Sequence, residues 1–397
     1  MTRRFLFRVL VPAAALTLLG SIGLTAASAS TATWQINSVV GDPAGLTTFT
    51  DAAASGPDNA WVAGIACTDN LGEGECAAQT AVVEQWNGQS WQAVALPDSN
   101  LGGSGYGVVV GTSSASNAWV FGADINNVGY AVHVTNSGLT ETALPSDGGI
   151  TFDGAAVFGP DDAWAFGLTG NFNLDDFTNY AAHYNGQTWT QMPAPPVEPQ
   201  YVSALSRHSL WILGPSSLTS GEYAAAHWTA SGWLTIPLPT AADLDLPASA
   251  SINPAGILAV RGNDVWVTVN LGTTCPPCGI GAGVLVLHWN GTIWSLVATP
   301  STSVVGNFDS DMASDGSGGF WVSGYIDQPT SSGPYLYHYA HGQLSEQLAP
   351  TEAGLEPQFG DLAWIPGTRS LWGAAALNNV PSGAVLASQG VIYQYGP

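Results

Sequence analysis

One tryptophan-centred pattern recurs seven times along the chain, and it constrains the fold more than any other feature. A small or polar turn, a Trp and an apolar run usually ending in Gly appear as Asp58-Asn59-Ala60-Trp61-Val62-Ala63-Gly64, Asn117-Ala118-Trp119-Val120-Phe121-Gly122 and Asp162-Ala163-Trp164-Ala165-Phe166-Gly167. Shorter copies centre on Trp211, Trp266, Trp321 and Trp372. Consecutive copies lie 45 to 58 residues apart, near the period of propeller blades. A sheet this small cannot bury both faces alone, so each unit has to pack against its neighbours.

A hairpin follows in each unit. Trp86-Asn87-Gly88-Gln89-Ser90-Trp91 is matched by Tyr184-Asn185-Gly186-Gln187-Thr188-Trp189 and Trp289-Asn290-Gly291-Thr292-Ile293-Trp294, with looser copies at 133–139 and 227–233. Asn-Gly between apolar runs predicts a type I′ turn, which demands positive φ at both central residues. Each unit therefore reads as four strands: an inner one such as 49–55, the Trp strand, a third strand, and a fourth after the Asn-Gly turn. Prolines at 97, 145, 193, 239, 300 and 350 punctuate the exits.

The two ends of the chain complement each other. The seventh unit stops after its third strand, at 390–395, whereas Thr33-Trp34-Gln35-Ile36 has the fourth-strand pattern of Ser90-Trp91-Gln92-Ala93. The expected fold is an all-β, seven-bladed β-propeller over 30–397, its ring closed by the N-terminal strand completing the last blade. Closure removes exposed edges and ties down both termini.

On the Asp/Asn-Ala-Trp turns and the Trp-Asn-Gly-x-x-Trp hairpins, the chain resembles secreted bacterial β-propellers of the Kelch/galactose-oxidase-like and sialidase-like superfamilies. The resemblance implies the architecture and assigns no activity. The hairpin is also similar to a sialidase Asp-box, with Asn in place of Asp and a shorter spacing. Sialidase chemistry needs an arginine cluster, and galactose-oxidase-like copper chemistry needs a Tyr/His/Cys constellation near the axis. Neither is visible in the sequence.

Charge narrows the partners. The chain has no lysine, and three of its six arginines fall within the first eight residues, leaving Arg207, Arg261 and Arg369 against 29 acids. Such a surface repels polyanions, which excludes nucleic acid and anionic membranes as partners. The basic start at 3–8, the apolar run at 9–24 and Ala27-Ser28-Ala29 read as a signal peptide over 1–29, so the mature protein is expected outside the cell. A monomer is expected.

Tryptophans that recur at one position in unit after unit are expected in the core. His133, His183, His227, His288 and His338 each precede the third-to-fourth strand turn, one per blade, too far apart to share an ion. Their expected partners are the Asp, Asn or Ser at the turn before the Trp strand. Cys67 with Cys76, and Cys275 with Cys278, are expected as local disulfides.

Long connections at 67–79, 168–179, 271–283 and 327–334 would share one face, with the arginines on the other. That acidic loop face is the expected binding surface, with Asp69, Phe172, Asp175, Asp176, Phe177, Tyr180 and Asp327 as ligand-binding candidates. Asp51, Asp153, Asp309, Asp311 and Asp361 are expected around the mouth of the axial channel. Converging carboxylates there suit Ca²⁺, or alternatively cap their own strands and bond neighbouring blades. The expected function is non-enzymatic binding of an extracellular glycan or protein. The alternative is a glycoside hydrolase or lyase that uses paired carboxylates on the same face.

Overall fold

A computed structural model describes residues 32–396 apart from 73–74, 98–107, 125, 172–173, 175, 217–221, 248–249, 274–282, 299–305, 327–332, 353–354 and 380–386. Seven antiparallel sheets form the ring, six of them taking their strands in chain order from the axis outward. The seventh has the inner strand Glu356–Trp364, then Leu371–Asn379, Ala387–Gly396, and last the N-terminal strand Thr33–Val40. Trp34 pairs with Tyr395 and Ile36 with Tyr393, so the expected closure is the one observed. The proposed signal peptide, Phe172, Asp175, Asp327, Cys275 and Cys278 lie outside the described residues.

The second-strand tryptophans hold the wedges together. Trp61, Trp119, Trp211 and Trp372 are fully buried. Trp372 of blade 7 meets Trp86 and Trp91 of blade 1, with ring centroids 5.1 and 5.0 Å away. Trp119 meets Tyr184 and Trp189 of the next blade at 4.8 and 5.1 Å. Trp164, Trp266 and Trp321 likewise meet Trp228, Tyr339 and Tyr395 of the next blade, each ring burying on the order of 150–250 Å², whereas Trp61 packs among the aliphatic side chains of blade 2.

The five histidines take the expected structural role. His183 bonds Asp162 at 2.9 Å, His288 bonds Asp264 at 2.8 Å and His338 bonds Asp315 at 3.0 Å. Asn117 and Ser209 serve His133 and His227 at 2.6 and 3.0 Å. Each imidazole also lies against its own blade's Trp, as His133 does on Trp119 at 4.1 Å and 7°. A polar turn, an imidazole and an indole therefore form one unit, which is why the three residue types recur together.

Two local expectations are corrected. In the Asn-Gly hairpins only the glycine has positive φ, 90° at Gly88, 91° at Gly186 and 94° at Gly291. I′ needs positive φ at both central residues, so these turns are not of that type. Asn87 instead precedes the bend, where its Oδ1 accepts from the backbone N–H of Gln89 and Ser90, each at 3.0 Å. The expected loop at 67–79 is largely strand: Asn59–Gly72 and Glu75–Trp86 run on as a projecting hairpin. The Cys67–Cys76 disulfide staples it, with Cα atoms 5.8 Å apart.

Candidate functional site

The inner strands leave one row of N–H and C=O groups facing the axis without a further strand to pair. In blades 1 and 7 a one-residue bulge at Thr50 and Gly360 re-aims the side chains that follow it, Asp51 and Asp361. In blade 6 the inner strand breaks between Phe308 and Ala313, and Asp309 and Asp311 occupy the gap. All five predicted aspartates line one axial cavity of about 590 Å³. They sit midway along the inner strands, as Asp51 does within Thr47–Gly56, and not at the channel mouth.

Their hydrogen bonds run from blade to blade. Asp51 Oδ2 accepts from Val110 N of blade 2 at 2.6 Å, and Asp361 Oδ2 from Ala52 N of blade 1 at 3.2 Å. Asp311 Oδ1 accepts from Ile257 N of blade 5 at 3.0 Å and from Met312 N at 2.7 Å. Burial pushes Asp51 up to about 7 despite these bonds. Asp311 is likewise pushed up to about 7, by burial and then by the charge of Asp51. Asp361 stands well above the carboxylate range because of burial and then its neighbours Asp51 and Asp311. Asp153 and Asp309 are exposed to the channel, yet desolvation by the enclosing protein raises both, with the charge of Glu198 adding to Asp153 and the Asn307 bond opposing it at Asp309. Among the described residues no three His, Cys, Asp or Glu side chains gather closely enough to hold a metal ion. The carboxyls expected to ligate Ca²⁺ are instead spread around the ring, and three of them tie neighbouring inner strands together.

A second cavity opens on the loop face between blades 2 and 3. It has a volume of about 570 Å³, and amide, hydroxyl and carboxyl side chains dominate its lining, among them Asn126, Asn127, Asp147, Asn171, Asp176 and Thr178. Asp124 builds one wall: its Oδ1 accepts from the N–H of Asn126 and Val128, each at 2.8 Å. This tight turn places Asn127 at φ 62°, a left-handed conformation that Asn tolerates. The Asn127 carbonyl accepts from Ile150 N of blade 3 at 2.8 Å, bridging the two blades. Its side-chain Oδ1 is buried without a hydrogen-bond partner among the described residues. Apolar side chains flank the lining residues in sequence, with Phe177 43% and Leu174 73% exposed.

The structure divides the predicted ligand residues. Asp176 lines this cleft, Phe177 follows it at the surface, and Asp69 is exposed on the blade 1 hairpin. Tyr180 is a correction: it is 0% exposed, and its hydroxyl donates to Pro145 O at 2.9 Å. Strand geometry accounts for this. Tyr180 shares a face with Asp176 and Thr178 but lies ~13 Å further into the blade than Asp176. It therefore anchors the link that carries Asp147 and cannot stack on a ligand. Asn127 was absent from the sequence reading, because its role depends on the Asp124 turn and on Ile150 of the next blade.

No protein-family model matches the chain, nor does any curated protein. Solved structures do. YCF48 bound to D1 peptide superposes with a TM-score of 0.55 at 14% identity, over 91% of this chain and 100% of that one. The polysaccharide lyase Uly1 gives a TM-score of 0.56 at 9% identity, over 85% of this chain and 88% of that one. The GH74 xyloglucanase from Xanthomonas campestris gives 0.51 at 13% identity, over 90% of this chain and 55% of that one. At these identities the likeness is one of fold.

Proposed function

We propose that the chain is a secreted, non-enzymatic propeller that binds an uncharged glycan in the cleft between blades 2 and 3. The observation that carries this reading is a cleft of about 570 Å³ lined by amide, hydroxyl and carboxyl side chains. Asp147 and Asp176 accept hydroxyl hydrogen bonds and disfavour anionic polymers. Uly1 and the xyloglucanase bear names of proteins acting on polysaccharides, whereas YCF48 was solved with a peptide. The hydroxyl-matching lining favours the glycan. Export is supported by the signal pattern at 1–29 and by the Cys67–Cys76 bridge, which needs an oxidising compartment.

The enzymatic alternative rests on Asp147 and Asp176 sharing this cleft, since paired carboxylates are what a glycoside hydrolase uses. A glycan array followed by calorimetry on neutral oligosaccharides tests the proposal. Binding should weaken ~10-fold or more in Asp176→Asn and in Thr178→Ala. An array without neutral-glycan signal, or variants that bind like the parent, would refute it. New reducing ends released from a polysaccharide, and lost in Asp147→Asn, would establish the enzyme instead.

A further inference from the structure

We infer that the face opposite the glycan cleft holds a second ligand site, between blades 6 and 7, which takes a small carboxylate carried on a flat apolar ring. A cavity of about 630 Å³ lies there, on the side of the short turns that join first to second strands. That volume is within the usual range for small-molecule sites. Trp321 and Tyr395 line it, with ring centroids 4.7 Å apart. His338 lies flat on Trp321 at 4.3 Å and 1°, so the partly exposed rings of His338 and Tyr395 form the wall, backed by the buried indole. Trp321 is only 3% exposed and His338 is held by Asp315, which makes this wall rigid.

The charge at the lip is what selects the ligand. Arg369 lines the cavity, is exposed, and makes no ion pair among the described residues. None of the three arginines beyond residue 8 makes an ion pair among the described residues, and Arg369 is the one that lines this cavity. The acid on the same wall is already engaged. Asp315 accepts from His338 Nε2 at 3.0 Å, from Ser317 N at 2.7 Å and from Gly319 N at 2.8 Å. The turn bearing Arg369 is fixed on both sides. Thr368 Oγ1 donates to Ile365 O at 2.8 Å and accepts from Ser370 N at 2.9 Å.

A permanently charged planar fork beside aromatic walls matches a carboxylate attached to a flat ring. A phosphate dianion fits less well. There is no lysine to share its charge, and the field of a chain at −23 opposes a second negative charge. His341 also lines the cavity, from a tight turn whose φ values of 53° and 80° at His341 and Gly342 are those of type I′. Its ring supplies a further N–H toward the same ligand.

The test is calorimetry on the folded secreted chain with indole-3-acetate and its carboxamide as probes. The acid is expected to bind ~10-fold or more tightly than the amide, the margin a charge-assisted pair gives. Arg369→Met should erase that preference without moving the melting temperature, and Arg369→Lys should retain part of it. Asp176→Asn, on the other face, should leave the preference intact even if it abolishes glycan binding. Equal affinity for acid and amide, no binding of either probe, or an unchanged preference in Arg369→Met each overturns the inference.

Discussion

The carboxyls of the axial channel make stability depend on pH in the direction opposite to ordinary acid unfolding. Asp51 and Asp311 are each pushed up from 3.8 to about 7 by burial. Between those values the native state holds a proton that the unfolded chain has released, so each contribution is largest at low pH. It is lost as pH rises from 3.8 through about 7. At ~1.4 kcal/mol per pH unit, a single unscreened group changes stability by ~3 kcal/mol between about pH 4.5 and 7.5. Both groups are only partly shielded from channel water, so we expect ~3 kcal/mol for the two together. Other groups oppose this. Burial holds His133 and His227 below the usual imidazole range, so their contribution is lost as pH falls through about 6.5. Burial alone would raise Asp315, but the His338 bond and the backbone N–H bonds from Ser317 and Gly319 outweigh it and lower it. Its contribution goes only below 3.8. At ~2 °C per kcal/mol for a chain of this size, calorimetric melts should show a midpoint ~6 °C higher at about pH 4.5 than at 7.5. Asp51→Asn keeps an acceptor for Val110 N but carries no charge, and it should narrow that gap by ~2–3 °C. A midpoint that falls on acidification, or an Asp51→Asn variant with the same gap as the parent, would refute the reasoning.

Three further outcomes follow from the packing. Trp119→Ala empties the notch between blades 2 and 3 and should cost ~3–5 kcal/mol in denaturant unfolding. Reducing Cys67–Cys76, which closes a separation of 9, should lower stability by ~2–3 kcal/mol and raise hydrogen exchange in the blade 1 hairpin. Deleting residues 30–40 strips the outer strand from blade 7, exposing Trp34's partners Trp321 and Tyr395, and should give an aggregating chain without a cooperative melt.

The loop-face cleft was legible only in part. The acidic and aromatic run around 176–180 marked a connection that borders the cleft, but it could not tell Asp176 in the cleft from Tyr180 in the core. Depth along a strand is set by where the sheet enters the blade stack. Asn127 carries no signal of its own, since an Asn in a polar loop is ordinary until a neighbouring blade closes over its Oδ1. The arginines show the same limit. Their rarity was plain from composition, but that Arg369 would stand beside Trp321 and Tyr395 is a product of two blades meeting.

What the sequence determined by itself is whatever repeats. Seven tryptophans in phase, the imidazoles that lie on them and the missing fourth strand at the C-terminus fix the number of blades and their closure, because each unit buries the same surface in the same way. What only the tertiary structure decided is whatever depends on one particular junction: which carboxyls reach across to the next inner strand, which polar side chains line a cleft, and which cation stands beside aromatic rings. Those properties arise where two non-identical wedges touch, and no periodicity within the chain encodes the contact.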